Sequence, residues 1–132
     1  VNRVVAHFAD GRIVKGFVND FIPAKDSFHI AVNGAPVGAM AMEIRRDDLK
    51  ALFFVKDFQG DPQHDDCKTF DPLRPSVGRR IKVVFRDDEV LVGTTQGYQP
   101  GRPGLFLEPA DRKSNTLRCY IVSNSTKEIT FI

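Results

Sequence analysis

Apolar and polar residues alternate with a period of two along most of the chain, and short runs of this kind are separated by clusters of Asp, Gly, Asn and Pro. That period places every second side chain on one face of a strand, so the pattern predicts half-buried β-strands joined by tight turns. Strands are expected over Arg3 to Phe8, Arg12 to Val18, Phe28 to Val32, Val37 to Arg45 and Leu49 to Val55. A second set is expected over Ile81 to Phe85, Glu89 to Thr95, Leu105 to Glu108, Leu117 to Val122 and Glu128 to Ile132. No segment carries the spacing of a long amphipathic helix, although one helical turn near Asp47 to Ala51 fits the local sequence.

The two sets are related by one constant offset, which carries Arg3 onto Arg80. Sliding the chain by that amount aligns Arg3 through Val55 with Arg80 through Ile132 without a gap. Phe8/Phe85, Asp10/Asp87, Gly16/Gly93, Pro23/Pro100, Ile44/Ile121, Lys50/Lys127 and Phe54/Phe131 are identical pairs. Between them Val4/Ile81, Ile13/Val90, Phe21/Tyr98, Ile30/Leu107 and Leu52/Ile129 keep the apolar pattern. An internal repeat is the reading that follows. The expected organisation is a first β-barrel repeat at 1–55, a connector at 56–79 rich in Asp, Pro and Gly, and a second β-barrel repeat at 80–132.

Asp10-Gly11 is a strong hairpin signal, because Gly tolerates a positive φ without a Cβ clash. Gly16, in the middle of its strand, predicts a bend of the kind needed where a strand curves around a small barrel. The run from Val4 to Gly16 resembles the first motif of Sm-like proteins, and Glu43 to Leu52 is similar to their second motif. Lys15 to Pro23 also looks like the Lys-Gly-Phe-x-Asn-Asp-Phe-x-Pro segment of an uncharacterised bacterial domain family. This resemblance implies an all-β fold of two tandem five-stranded Sm-like (SH3-like) antiparallel barrels. RNA-binding members of the Sm-like group use an Asn in the third-strand loop and an Arg-Gly pair. Asp26-Ser27-Phe28 and Arg45-Arg46 stand at those places here.

Composition narrows the function classes. Eleven Phe with no Trp and two Tyr put aromatic bulk into side chains that mostly fill cores. A net charge of +2 lacks the strongly basic footprint of a dedicated nucleic-acid binder. No apolar run is long enough to span a bilayer, so no membrane association is expected and the protein reads as cytoplasmic. Cys67 and Cys119 lie in unlike contexts and make no disulfide framework.

The Ser residues have no nucleophile-elbow context, and no phosphate-cradling loop or spaced metal-ligand motif occurs; His64-Asp65-Asp66-Cys67 reads as a solvated acidic loop. His7 and His29 align with Val84 and Phe106, which favours a packing or hydrogen-bonded role for both. No enzyme activity, cofactor or metal is therefore expected. The expected function is a non-catalytic binding or regulatory module whose partner is a protein. The alternative is RNA or a nucleotide, including a cyclic dinucleotide, held by basic loops. The candidate ligand-binding residues are Arg74, Arg79, Arg80 and Arg102, whose guanidinium groups suit phosphate. Phe21 and Tyr98 join them, because each places an aromatic next to a Pro in the same loop of its repeat.

Overall fold

The computed structural model describes residues 2–59, 78–99, 101–111 and 113–132, and ten antiparallel strands account for most of them. In the first half these are β1 (Asn2–Phe8), β2 (Ile13–Val18), β3 (Ser27–Val32), β4 (Met42–Arg45) and β5 (Leu49–Val55). The second half holds β6 (Arg79–Phe85), β7 (Val90–Thr95), β8 (Gly104–Pro109), β9 (Thr116–Val122) and β10 (Thr126–Phe131). Most boundaries recur at the constant offset of the sequence alignment, from Asn2 to Arg79, Ile13 to Val90 and Ser27 to Gly104. Two short 3-10 turns, Arg46–Asp48 and Ser123–Ser125, are the helical content among the described residues.

The all-β expectation holds, but the arrangement is not two closed barrels. The strands form one open sheet in the order β10-β6-β7-β8-β9-β5-β1-β2-β3-β4. The reason lies in β5, which pairs with a strand of each half. Arg46–Asp48 follows β4 and releases β5 to pair with β1 on one side and with β9 of the other half on its other side. Ser123–Ser125 likewise precedes β10, but β10 pairs with β6 on one side and is left at the edge of the sheet. The fourth strand is also shorter than the alternation predicts, since Val37 and Met40 lie outside it and are fully exposed.

Hairpin chemistry follows the sequence. The Asp10 carboxylate accepts the Arg12 backbone N–H at 3.0 Å, and Asp87 accepts that of Glu89 at 3.1 Å. Gly11 has φ +95°, and Asp88, in the corresponding place, is held at φ +71°, a conformation Asp tolerates better than most residues. Gly16 and Gly93 mark the tightest crossings. A Cβ on Gly16 would lie 2.4 Å from the Ala31 carbonyl oxygen, and one on Gly93 would lie 2.0 Å from that of Glu108. Only glycine lets β2 meet β3, and β7 meet β8, at these bends.

Two apolar cores result, and the β5·β9 ladder belongs to both. Leu49, Leu52 and Phe54 of β5 face the first core with Val4, Phe28, Ile30 and Ile44. Ala51 and Phe53 face the second, with Ile81, Val83, Phe85 and Leu107. From β9, Cys119 and Ile121 enter the second core, while Tyr120 and Val122 enter the first. Strands covered on both faces lose the simple alternation and become nearly continuous apolar runs, as Leu-Lys-Ala-Leu-Phe-Phe-Val does in β5. Lys50 clamps the junction: its Nζ donates to Asp87 at 2.7 Å and to Glu89 at 2.6 Å, above the Phe85 ring. Ser125 Oγ adds a hydrogen bond to the Lys50 carbonyl across the same seam.

Candidate functional site

Where the halves meet, the loop after β2 and the loop between β7 and β8 enclose a groove of about 520 Å³. Ile22, Pro23 and Ala24 form one bank, and Gln96, Gly97, Tyr98 and Arg102 form the other. Its floor is Leu105, Phe106 and Tyr120. The size suits a small organic group or a few side chains of a peptide, and mostly apolar walls with a few polar groups are the usual make-up of a ligand site.

Both banks are tethered from below by the first residue of a 3-10 turn. Arg46 is 8% exposed, and its guanidinium donates to the Pro23 carbonyl at 2.7 Å and to that of Lys25 at 3.1 Å. Its other contacts are the carboxylates of Asp47 at 3.2 Å and Asp26 at 3.6 Å. In the second half Ser123 Oγ donates to the carbonyl of Arg102, which the same offset aligns with Lys25, at 2.9 Å. Different side chains thus fasten the same loop to the same turn.

Tyr120 is the chemically distinctive residue of the floor. Only 2% exposed, it lies edge-on to Phe21 and Phe106, with ring centroids 5.1 Å away in each case. Gly104 makes room for it, since a Cβ there would stand 2.5 Å from the Tyr120 hydroxyl. The described residues supply this hydroxyl with no hydrogen-bond partner, yet it is not among their sealed, unsatisfied polar atoms. It therefore opens to the groove. Burial pushes the phenol pKa up, keeping it protonated and able both to donate and to accept.

The residues singled out from the sequence are distributed unevenly around this groove. Tyr98 and Arg102 line it, with the Arg102 Nε donating to Gln99 Oε1 at 3.1 Å. Phe21 sits beneath the surface, packed on Phe28, Phe54, Phe106 and Tyr120. Arg79 stacks over Phe131 at 3.6 Å, and that ring lies 5.7 Å from Tyr98, so a cation and two rings form a row beside the groove. Arg80 follows Arg79 on β6 and points to the opposite face of the strand. Arg74 lies outside the described residues, as do 60–77 of the connector, including His64 to Cys67.

Three further groups take roles the sequence left open. His29 is half-exposed and hydrogen-bonded, with its Nδ1 2.8 Å from Asp20 Oδ2, while its Nε2 faces Glu43 at 3.8 Å. Burial works to raise the Asp20 pKa, but the His29 side-chain and backbone hydrogen bonds outweigh it and hold the carboxyl below its usual range. His7 does pack, edge-on to Phe53 at 4.7 Å, and burial lowers its pKa. Cys119 is buried in the second core with its thiol pKa pushed far up by burial, which keeps it protonated and unreactive. Sequence reasoning missed Tyr120, Arg46 and Gly104, whose importance depends on the β5·β9 pairing and the loop tethers.

Among the described residues no group of three His, Cys, Asp or Glu side chains is placed to hold a metal ion, and no helix is long and apolar enough to cross a membrane. The chain belongs to the family of unknown function DUF6982, whose model matches residues 1–132. No curated protein and no solved structure matches it.

Proposed function

We propose that this protein is a non-catalytic binding module that receives an extended segment of a partner protein in the groove between its halves. The observation that carries the reading is the Tyr120 hydroxyl, which opens without a described protein partner onto the floor of an apolar groove with tethered banks. An apolar side chain of the partner would lie against Leu105 and Phe106, and a backbone or side-chain polar group would satisfy Tyr120. Arg102, at the rim, favours a segment with an acidic residue beside the apolar one.

A non-catalytic role is supported by the surroundings of the histidines. His29 Nε2 faces a carboxylate and not a hydroxyl or thiol, and His7 is packed on a ring. The finer fold reading, two small Sm-like or SH3-like units sharing one sheet, is part of the same proposal and rests on the recurrence of strand boundaries at the repeat offset. A protein ligand is preferred over RNA because Arg102 is the one described residue of the basic candidate set that lines the groove, and Arg80 lies on the other face of its strand.

The test is selection of binders from a random-peptide library, followed by titration against the wild type and Ala24→Trp. Ala24 is exposed on the bank, so a Trp there fills the groove without entering the core. Selected peptides should lose at least about tenfold in affinity, or 1.4 kcal/mol. Unchanged affinity in Ala24→Trp would overturn the groove as the site.

A further inference from the structure

The β5·β9 junction joins a fifth strand to a fourth strand of the other half, and among the described residues one fifth strand (β10) and one fourth strand (β4) remain at the two edges of the sheet. Carried over by the repeat offset, the register Ala51↔Ile121, Leu52↔Tyr120 and Phe53↔Cys119 would set Glu128 opposite Ile44, Ile129 opposite Glu43 and Thr130 opposite Met42 of a second copy. Head-to-tail pairing of copies is thus available in backbone geometry. Unpaired edges of this sort are what proteins protect against association.

The side chains separate the two cases position by position. At the junction Ala51 and Phe53 of β5, with Tyr120 and Val122 of β9, face the core of the neighbouring half. Their counterparts at the edges are Glu128, Thr130, Glu43 and Arg45, all exposed. Positions that face their own half stay mostly apolar: Met42 and Ile44 stand where Cys119 and Ile121 do, and Ile129 and Phe131 where Leu52 and Phe54 do. Thr126 in place of Leu49 is the exception. Polar exchange therefore falls where only a neighbour would be touched.

Docking a second copy would bury Glu43 and Glu128 against apolar surface. It would also set Lys127 opposite Arg45, one step along the register from Glu128 and Ile44. Burying a charge without a partner is unfavourable, and like charges directly opposite each other destabilise a ladder.

We infer that Glu43, Arg45, Glu128 and Thr130 act as gatekeepers, which keep β4 and β10 from forming with a second copy the same junction that β5 and β9 form within the chain. Four side chains decide whether such an edge associates.

Sedimentation velocity tests this on the 132-residue chain. The wild type should run as a single species of 14.8 kDa at every concentration. Glu43→Tyr/Arg45→Val opens one edge, and Glu128→Ala/Thr130→Phe opens the other. Each variant alone should stay monomeric, and an equimolar mixture should form a complex of twice the mass, at least tenfold tighter than any wild-type self-association. A mixture of two variants, each folded by circular dichroism, that remains monomeric would overturn the inference. A second measurement does not depend on those variants folding and leaves all four side chains in place: with Cys67 replaced by Ser, Ala41→Cys/Phe131→Cys places thiols at opposed positions of the hypothetical ladder. No intermolecular disulfide is expected under oxidation, and efficient cross-linking would equally overturn it.

Discussion

Removing the Tyr120 ring should unfold the whole sheet more easily, whereas removing the side chain at the equivalent place in the first half should do almost nothing. Tyr120 is 2% exposed and lies against the rings of Phe21 and Phe106. Truncation of a buried aromatic to Ala costs about 3–5 kcal/mol. Its edge-on ring contacts, worth about 0.5–1.5 kcal/mol each, put Tyr120→Ala near the middle of that range or above, at about 4 kcal/mol. With about 2.1 cal/mol/K of unfolding entropy per residue, the 132 residues give about 280 cal/mol/K, so the melting temperature should fall by about 14 °C. Glu43→Ala, with a side chain 66% exposed, should change stability by no more than about 0.5 kcal/mol. Differential scanning calorimetry is the assay. Because Tyr120 ties β9 to the first core, both halves should melt in one transition in wild type and variant. Two separate transitions, or a Tyr120→Ala loss below about 2 kcal/mol, would refute the shared core.

Other substitutions probe other parts of the same architecture. Lys50→Met keeps the apolar stem but removes the charge between Asp87 and Glu89, and should cost about 1–2 kcal/mol at neutral pH by urea denaturation. The Lys50 hydrogen bond is the main cause holding the Asp87 pKa below 3.8, so this contribution is present above pH 3.8 and disappears as pH falls through the folded value. Equal losses at neutral and strongly acidic pH would contradict the assignment. His7, whose pKa burial lowers from 6.5, should make the fold lose stability as pH falls below 6.5, and His7→Phe should flatten that slope. Gly93→Ala meets the Glu108 carbonyl at 2.0 Å and should cost at least about 2 kcal/mol, so a neutral thermal shift would contradict the close crossing. Arg46→Met should loosen Pro23 to Lys25, seen as faster amide exchange at Lys25, whose N–H now donates to the Ile22 carbonyl; unchanged exchange would remove the tether from the account.

The parts legible in the sequence are those fixed by local chemistry. Asp10-Gly11 and Asp87-Asp88 turn where the Asx geometry demands, and Gly16 and Gly93 bend strands at places a Cβ would block. The open sheet is hidden because it depends on one long-range choice. The turn chemistry before Leu49 and Thr126 does not distinguish a fifth strand that pairs with its own half alone from one that also pairs across to the other. The continuous apolar run of β5, against the polar alternation of β10, is the signal that reveals it. The groove is half visible: Tyr98 and Arg102 stand out in the sequence, but Phe21 belongs to the core, and Tyr120 reads as one more strand residue. The pair Arg45-Arg46 stands where RNA-binding Sm-like proteins carry Arg-Gly, and the Arg46 guanidinium is spent on the carbonyls of Pro23 and Lys25. Alignment with Phe106 points to a packed or hydrogen-bonded His29, and its place near the sheet edge decides for the hydrogen bond, half in water beside Asp20.

The most direct test of the groove as the binding site is amide NMR on the wild-type chain during titration with a library-selected peptide. The shifts should concentrate at Ala24 on one bank, at Gly97, Tyr98 and Arg102 on the other, and at Leu105 and Tyr120 on the floor, so that both halves respond to one ligand at one stoichiometry. Shifts confined to a single half, or centred on the Arg80 and Lys82 face of β6, would contradict it.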